Sequence, residues 1–236
     1  MATTVEDPRL SRGMQAQLAR RRALVAEGRR PIGWKVGFGA PAWLEKFGVS
    51  GPLVGFLTDQ GLLPSGTTAS ISGWAKPVAE PEIAIHIGRD LGPGAGPDTV
   101  KAAVAAIGPA IELADLDPPP EDVEAILSDN IFHRHVILGP RDDSRAGARL
   151  DGLSANVRRN GAELDVPADL ETNTGPLLGI VRHVADTLAA HGERLSAGDF
   201  IIAGSIVPPI FLTAEDEEIA YELAPVGGVS VRFAAR

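Results

Sequence analysis

The segment from residue 80 to residue 88 restricts the possible folds of this chain more than any other. It reads Glu-Pro-Glu-Ile-Ala-Ile-His-Ile-Gly, in which isoleucine occupies alternate positions. Because successive side chains of a β-strand point to opposite faces, the pattern predicts a strand with Glu80, Glu82, Ala84 and His86 on one face. The isoleucine face is expected to pack on the core.

A second apolar segment carries another carboxylate, Glu112, between Ile111 and Leu113. Carboxylates that are buried close together are destabilising unless a cation lies between them. A hard divalent metal held by oxygen ligands would explain three such groups. For Glu80 and Glu82 alone, a half-exposed strand with an acidic, solvent-facing side is the favoured interpretation, and the wider pattern of segments described below reverses that preference.

The composition excludes several classes of protein. The 236 residues carry a formal net charge of -9, which argues against nucleic acid or an anionic membrane as a partner. There is no cysteine, so disulfides, thiolate nucleophiles and cysteine-based zinc sites are excluded. The first residues lack the basic and apolar blocks of a signal peptide, and no apolar stretch is long enough to span a bilayer. We therefore expect a soluble, cytoplasmic protein with no membrane partner.

Short strands separated by turns are predicted along most of the chain, because glycine (27) and proline (19) are abundant. The predicted helices are 8–28 with Ser11 as the cap, 41–47, 97–107, 121–127 and 175–190. The predicted strands are 32–38, 54–57, 67–72, 77–88, 109–116, 132–138, 150–158, 162–166, 199–203, 218–223 and 229–233. Strands and helices do not alternate regularly, which predicts an α+β fold rather than a doubly wound parallel sheet. A single catalytic domain over 1–236 is expected, with an N-terminal helical extension over 1–30.

Six short segments occur in an order that resembles one family of enzymes. They are Ile-Gly-Trp-Lys-Val-Gly at 32–37, Gly-Pro-Leu-Val-Gly at 51–55, Glu-Pro-Glu-Ile-Ala at 80–84, Pro-Ala-Ile-Glu-Leu-Ala-Asp at 109–115, Ser-Asp-Asn at 128–130 and Gly-Ser at 204–205. From about residue 14 to the C-terminus, the pattern resembles the 2-keto-4-pentenoate hydratase branch of the fumarylacetoacetate hydrolase superfamily.

The resemblance implies a fold, a metal and an assembly. The fold would be a strand-rich mixed β-roll of the fumarylacetoacetate hydrolase C-terminal type with peripheral helices. Glu80, Glu82 and Glu112 fall on the three carboxylates that hold Mg²⁺ or Mn²⁺ in that family. Members of the family are usually homodimers or larger homo-oligomers.

The resemblance also implies a substrate, a small 2-oxo acid. Lys35 falls on a lysine near the substrate, and Ser205, which follows Gly204, falls on the hydroxyl residue that helps to bind the substrate carboxylate. Three protein carboxylates leave positions around Mg²⁺ for the carboxylate and keto oxygens of the substrate. Stabilisation of an enolate by the metal is shared by hydration, decarboxylation and carbon–carbon hydrolysis of such acids.

One departure from the family pattern affects the predicted reaction. Hydratases of this branch commonly carry an acidic residue within 51–55, with a part in proton transfer, whereas this chain has Leu53. His133 and His135, which share one face of a predicted strand, are candidates for a replacement base. Lys35 could move a proton to or from carbon, or remain a cation that pairs with a substrate carboxylate.

The leading prediction is a metal-dependent hydratase that acts on a 2-keto-4-pentenoate-like acid. The alternatives are a decarboxylase of 2-oxo-3-enedioates and a hydrolase of acylpyruvates, both on the same metal site. A non-catalytic partner subunit is a third interpretation, because of Leu53 and an N-terminal region shorter than is usual in the family.

Overall fold

Two β-sheets organise the part of the chain that the computed structural model describes, residues 7–117 and 122–234. The described helices are α1 (Pro8–Ala26), α2 (Pro41–Phe47), α3 (Pro97–Ala103), α4 (Val123–Ser128) and α5 (Leu177–Ala190). The strands are β1 (Pro31–Gly37), β2 (Leu53–Thr58), β3 (Leu62–Leu63), β4 (Thr68–Ala69), β5 (Pro77–Ile87), β6 (Val104–Asp115), β7 (His133–Leu138), β8 (Ser154–Arg159), β9 (Ala162–Glu163), β10 (Phe200–Ser205), β11 (Ile210–Phe211), β12 (Glu218–Ala224) and β13 (Gly227–Phe233).

The larger sheet is mixed and has the order β2-β1-β10-β5-β6-β7-β3, with β11 paired to β5. The pairs β1–β10 and β3–β7 are parallel, and the other pairs of this sheet are antiparallel. The smaller sheet has the order β4-β13-β12-β8-β9, and its strands β12 and β13 pack against β6. This is a strand-rich α+β architecture, which confirms the predicted fold class.

The larger sheet is rolled rather than flat. Lys35 on β1 and Glu112 on β6 are three strand spacings apart, which is about 14 Å across a flat sheet. Their charged groups nevertheless lie 2.5 Å apart. At the far edge, Asn130, just before β7, is hydrogen-bonded to Phe56 on β2, which lies at the opposite end of the strand order. The rolled sheet therefore encloses one of its own faces.

Two separate apolar clusters fill the two sides of this roll. A small cluster lies inside it, made of Leu57, Ala84, Ala110, Val136, Phe200 and Ile202. The large cluster lies outside it and includes buried side chains of every one of the five helices and of the smaller sheet. Helix α1 contributes Leu10, Met14 and Leu18 to the outer cluster and packs against α4.

Burial of both faces of β5 corrects one expectation. The alternation of residues 80–88 is present, but Glu82 and Ala84 are as fully buried as the isoleucines of the other face. The interpretation of the acidic face as solvent-exposed is therefore wrong, because the roll turns that face inward.

Several predicted boundaries also need correction. Helix α1 is capped by Asp7, whose carboxylate accepts from the backbone N–H of Arg9, because a proline at the first helical position starts the helix before Ser11. Helix α3 ends at Ala103, because residues 104–107 pair with β5 instead of continuing the helix. The strand predicted at 67–72 is reduced to Thr68–Ala69, and β3 and β11 were not predicted. The predicted start of α4 at Glu121 lies outside the described residues.

Candidate functional site

Three carboxylates from two neighbouring strands meet inside the roll. Glu80 and Glu112 are directly opposite in the β5–β6 ladder, and Glu82 lies two residues along β5 on the same face. One carboxylate oxygen from each lies within 4.8 Å of the others. Glu82 and Glu112 are fully buried, and Glu80 is partly exposed. The structure thus brings together the three residues that the sequence identified as candidate metal ligands.

The electrostatic state of these carboxylates reflects their crowding. Burial, together with the negative charge of Glu112, raises the pKa of Glu80 to about 7. Burial and both neighbouring carboxylates raise the pKa of Glu82 well above its usual value. Burial acts in the same direction on Glu112, but Lys35 and His133 outweigh it and lower the pKa of that carboxyl. The site therefore holds one firmly ionised carboxylate and two that resist ionisation without a further cation.

Lys35 supplies the positive charge next to Glu112. Its side chain is 2% exposed, and its Nζ lies 2.5 Å and 2.6 Å from the two carboxylate oxygens. A third hydrogen bond of 3.2 Å runs from Nζ to the carbonyl oxygen of Ile131. The lysine stem fits because Gly55 is its partner on β2, where an added Cβ would lie 2.9 Å from Lys35 Cγ.

Acceptor positions remain available on the carboxylates. A carboxylate has about four lone-pair positions. On Glu112, Oε1 accepts from Lys35 and His133 while Oε2 accepts from Lys35, which leaves a position on Oε2. On Glu82, Oε2 accepts from the backbone N–H of Gly204 at 2.5 Å, and the buried Oε1 has no hydrogen-bond partner. A buried carboxylate oxygen without a partner, in a cluster where one oxygen from each of three carboxylates lies within 4.8 Å of the others, suits a hard cation.

The two candidate histidines lie in different surroundings. His133 is almost completely buried, and its Nδ1 donates to Glu112 Oε1 at 2.7 Å. Burial lowers its pKa, so the neutral ring is favoured. His135 instead stacks on Trp74, with ring centroids 6.0 Å apart, and burial lowers its pKa as well. The β6–β7 ladder is irregular between Leu113, which pairs with His135, and Ala114, which pairs with His133. Of the two histidines, only His133 reaches the carboxylates.

A cavity of about 370 Å³ opens next to the carboxylates. Its polar end includes Lys35, Glu80, Gly204 and Ser205, and the latter two are the last residues of β10 rather than a turn after it. The Ser205 hydroxyl lies 3.4 Å from the carbonyl oxygen of Pro81. The rest of the wall is mostly apolar, and among its members are Phe38, Trp43, Leu116, Phe132, Val207 and Phe211. Neither histidine is among the lining residues.

Leu53 does not face this cavity. It is 3% exposed and belongs to the outer apolar cluster, and its hydrocarbon side chain has no proton to transfer. Among the described residues that line the cavity, the ionisable side chains are Lys35 and Glu80. A second hollow, of about 400 Å³, lies on the smaller sheet and is lined by none of the three clustered carboxylates.

Sequence reasoning missed several residues that shape the site. Asn173 and Thr174 line the cavity from the loop before α5, and nothing in the sequence marks them. The aromatic side chains of Phe38 and Trp43 pack edge to face, with centroids 5.1 Å apart, and form one wall. Asn130 belongs to the Ser-Asp-Asn segment at 128–130, but no role was assigned to it; its place after a helix end, where asparagine often adopts the left-handed conformation, is the signal for its φ of 57°.

Comparison with known proteins shows what the chain is similar to. It is 30% identical over 216 residues to 4-oxalocrotonate decarboxylase from Pseudomonas putida, which covers 90% of this chain and 81% of that protein. It is 28% identical over 213 residues to 2-hydroxyhexa-2,4-dienoate hydratase from Comamonas testosteroni, a match that covers 88% of this chain and 80% of that protein. No family model matches the chain.

One solved structure extends the likeness to three dimensions. It is 4-oxalocrotonate decarboxylase from Pseudomonas putida G7 complexed with magnesium and adipate, which matches with a TM-score of 0.85 and 28% identity. The match covers 94% of this chain and 85% of that one. The likeness therefore extends over most of both chains rather than over an isolated segment. Within the described residues, no helix combines the length and apolar character that a membrane crossing needs.

Proposed function

We propose that this chain, which belongs to the fumarylacetoacetate hydrolase superfamily, in the branch of the 2-keto-4-pentenoate hydratases and 4-oxalocrotonate decarboxylases, is a divalent-metal-dependent lyase that acts on small 2-oxo acids. The first candidate reaction is addition of water to a 2-keto-4-pentenoate-like acid. One observation carries the proposal: three carboxylates converge beside a buried lysine, and the lysine and one of these carboxylates, Glu80, line the polar end of a mostly apolar cavity.

The residues present fit a hard divalent ion. Glu80, Glu82 and Glu112 would hold it, since they offer oxygen donors and Glu82 has a buried oxygen without a partner. Magnesium in the similar decarboxylase structure supports Mg²⁺, and oxygen ligands suit Mn²⁺ as well. When bound, the ion would supply Lewis acidity toward the carboxylate and keto oxygens of a 2-oxo acid.

The chain's own residues would bind and orient the substrate. The apolar wall would hold the carbon tail and exclude water from it. The Ser205 hydroxyl and the backbone near Gly204 would meet the carboxylate end. Lys35 Nζ would hold a proton at the cavity floor and exchange it with a substrate carbon, while Glu112 and the Ile131 carbonyl fix its direction. His133 would act through Glu112, because its ring does not line the cavity.

Decarboxylation is a second candidate, which a specific observation favours. Addition of water needs a group that activates or orients the water, and the acidic residue common in the hydratases is here the buried Leu53. Loss of carbon dioxide from a 2-oxo-3-enedioate needs no such group. A mostly apolar wall also disfavours the distal carboxylate of such a substrate, and its loss as neutral carbon dioxide moves the negative charge through the conjugated chain to the keto oxygen at the polar end of the cavity.

Product analysis distinguishes the candidates. The protein would be stripped with a chelator, reloaded with Mg²⁺ or Mn²⁺, and incubated with 2-hydroxypenta-2,4-dienoate, 2-oxo-3-hexenedioate and an acylpyruvate. Formation of 4-hydroxy-2-oxopentanoate identifies a hydratase, release of carbon dioxide a decarboxylase, and pyruvate with a carboxylic acid a hydrolase. Absence of turnover on all three acids would contradict the proposal and favour a non-catalytic partner subunit.

A pair of lysine variants provides the matched control. Lys35→Met should abolish most of the turnover, because it removes the only described cation that lines the cavity. Lys101→Met changes an exposed lysine on α3 and should leave turnover unchanged. The cytoplasmic location and the homo-oligomeric state remain predictions.

A further inference from the structure

A left-handed turn lies directly behind Lys35. Asn130, Ile131 and Phe132 have φ angles of 57°, 54° and 61°, one after another. This conformation is unfavourable for residues other than glycine and asparagine, and least favourable for a β-branched residue such as isoleucine. Strained backbone of this kind persists only where the surrounding structure holds it, and it is concentrated at functional sites.

The side chain of Asn130 holds this turn against β2. Its Oδ1 accepts from the backbone N–H of Phe56 at 2.8 Å, and its Nδ2 donates to the carbonyl oxygen of Phe56 at 2.9 Å. Asn130 is 5% exposed, so both bonds are shielded from water. Gly55 gives the amide room, since an added Cβ there would lie 3.0 Å from Asn130 Oδ1. The amide therefore binds β2 as a neighbouring strand would.

The same turn places three parts of the site. The Ile131 carbonyl accepts from Lys35 Nζ, the Phe132 ring lines the cavity, and His133 begins β7 and donates to Glu112. A shift of the turn would therefore move two groups together: the Ile131 carbonyl, which accepts from Lys35, and His133, which donates to Glu112.

We propose that Asn130 is a positioning residue, which fixes the direction of Lys35 by clamping the left-handed turn to β2. The part of this proposal that concerns turnover rests on the proposed function, whereas the position of Lys35 does not. Asn130 touches neither the cavity nor the three clustered carboxylates, so its effect would pass through Ile131 and His133.

A variant pair tests the clamp. Asn130→Gly keeps a residue that accepts positive φ but removes both bonds to Phe56. Asn160→Gly is the matched control, because Asn160 also has a positive φ, 51°, and its amide also binds backbone groups, at Glu215, Glu217 and Glu218. The control lies in the β8–β9 turn of the smaller sheet and shares none of these contacts with Lys35.

Acetylation of lysine amines, followed by mass spectrometry on the metal-free protein, reports on Lys35 without any need for activity. The exposed Lys46, Lys76 and Lys101 serve as internal standards. We expect Asn130→Gly to raise the relative acetylation rate of Lys35 about tenfold, because the local structure around it opens more often. Asn160→Gly should leave that rate unchanged.

Kinetics on the metal-loaded protein give the second readout. Misplacement of Lys35 should lower kcat about tenfold to 100-fold, with KM within about twofold of the original value. Asn130→Asp, which keeps the acceptor for Phe56 N–H, should give an intermediate rate of Lys35 acetylation, and it decides the question if the glycine variant does not fold.

The proposal would be overturned if the acetylation rate of Lys35 were unchanged in both Asn130 variants. It would also be overturned if Asn160→Gly raised that rate as much as Asn130→Gly does. If the original protein shows no turnover on any 2-oxo acid, the proposed function fails, but the acetylation result still decides the role of Asn130.

Discussion

Lys35→Met removes the cation beside Glu112 while keeping a side chain of similar length. In the native structure both side chains are almost completely buried, at 2% and 1% exposure, and the ammonium group contacts both carboxylate oxygens. Breaking a buried ion pair by removing one partner typically costs about 3–5 kcal/mol, because the remaining charge is left without compensation.

A second estimate comes from the carboxyl group itself. Without Lys35, Glu112 can take up a proton, which for an ordinary glutamic acid of pKa about 4.3 costs about 3.7 kcal/mol at pH 7. The cost at pH 5 is only about 1 kcal/mol by the same arithmetic. In the original protein the lowered pKa of Glu112 contributes stability above the unfolded-state pKa, and that contribution is lost as the pH falls. The effect of Lys35→Met should therefore be large at pH 7 and small at pH 5.

Urea unfolding in the presence of EDTA, followed by tryptophan fluorescence, measures this difference. We expect Lys35→Met to lower the free energy of unfolding by about 3–4 kcal/mol at pH 7, equivalent to about 6–16 °C in Tm for a chain of this size. The double variant Lys35→Met with Glu112→Gln should recover most of the loss, since no charge is left unpaired. A loss below about 1 kcal/mol at pH 7, or an equal loss at both pH values, would refute the buried ion pair.

Three other perturbations address the carboxylates and the cavity. Metal-free protein should lose stability as the pH rises from 4.5 to about 7, because the folded state holds the proton of Glu80 more tightly than the unfolded state does; a flat profile of Tm against pH in EDTA would contradict this. Mn²⁺ at 100 times its Kd should raise the free energy of unfolding by about 2.7 kcal/mol, and Glu82→Gln should remove most of that rise without destabilising the metal-free protein, as calorimetric titration and melting would show. Trp43→Ala should raise KM for a 2-oxo acid with an apolar tail about tenfold, with kcat little changed, whereas Trp74→Ala, outside the cavity lining, should leave KM unaltered in the same assay.

Local signals in the sequence predicted much of the fold. Gly48 ends α2 with a φ of 67°, where glycine is favoured after a helix. Asn160 and Gly161 form the tight turn between β8 and β9 with positive φ at both positions, as this dipeptide predicts. Such features depend only on residues close in the chain, so they can be recognised without the tertiary structure.

Predictions were wrong where long-range pairing overrode local preference. The segment 104–107 continues a helical pattern, yet it forms the start of β6, because it pairs with the end of β5, a strand of eleven residues. The two histidines at 133 and 135 share a strand face by their spacing, but an irregularity in the β6–β7 ladder leaves only the first beside Glu112. Neither outcome can be derived from spacing along one strand.

The sequence by itself determined that Glu80 and Glu82 share a strand face, because the two-residue period of a strand is a property of the backbone. It also supplied, through the ordered segments, the family and the third carboxylate. Only the tertiary structure decided that this face is enclosed and that Lys35, about 14 Å away across a flat sheet, meets Glu112 at 2.5 Å. Closure of the roll depends on contacts between segments that are far apart in the chain, such as Asn130 with Phe56. Because these contacts impose the curvature of the sheet, no single segment of the sequence predicts it.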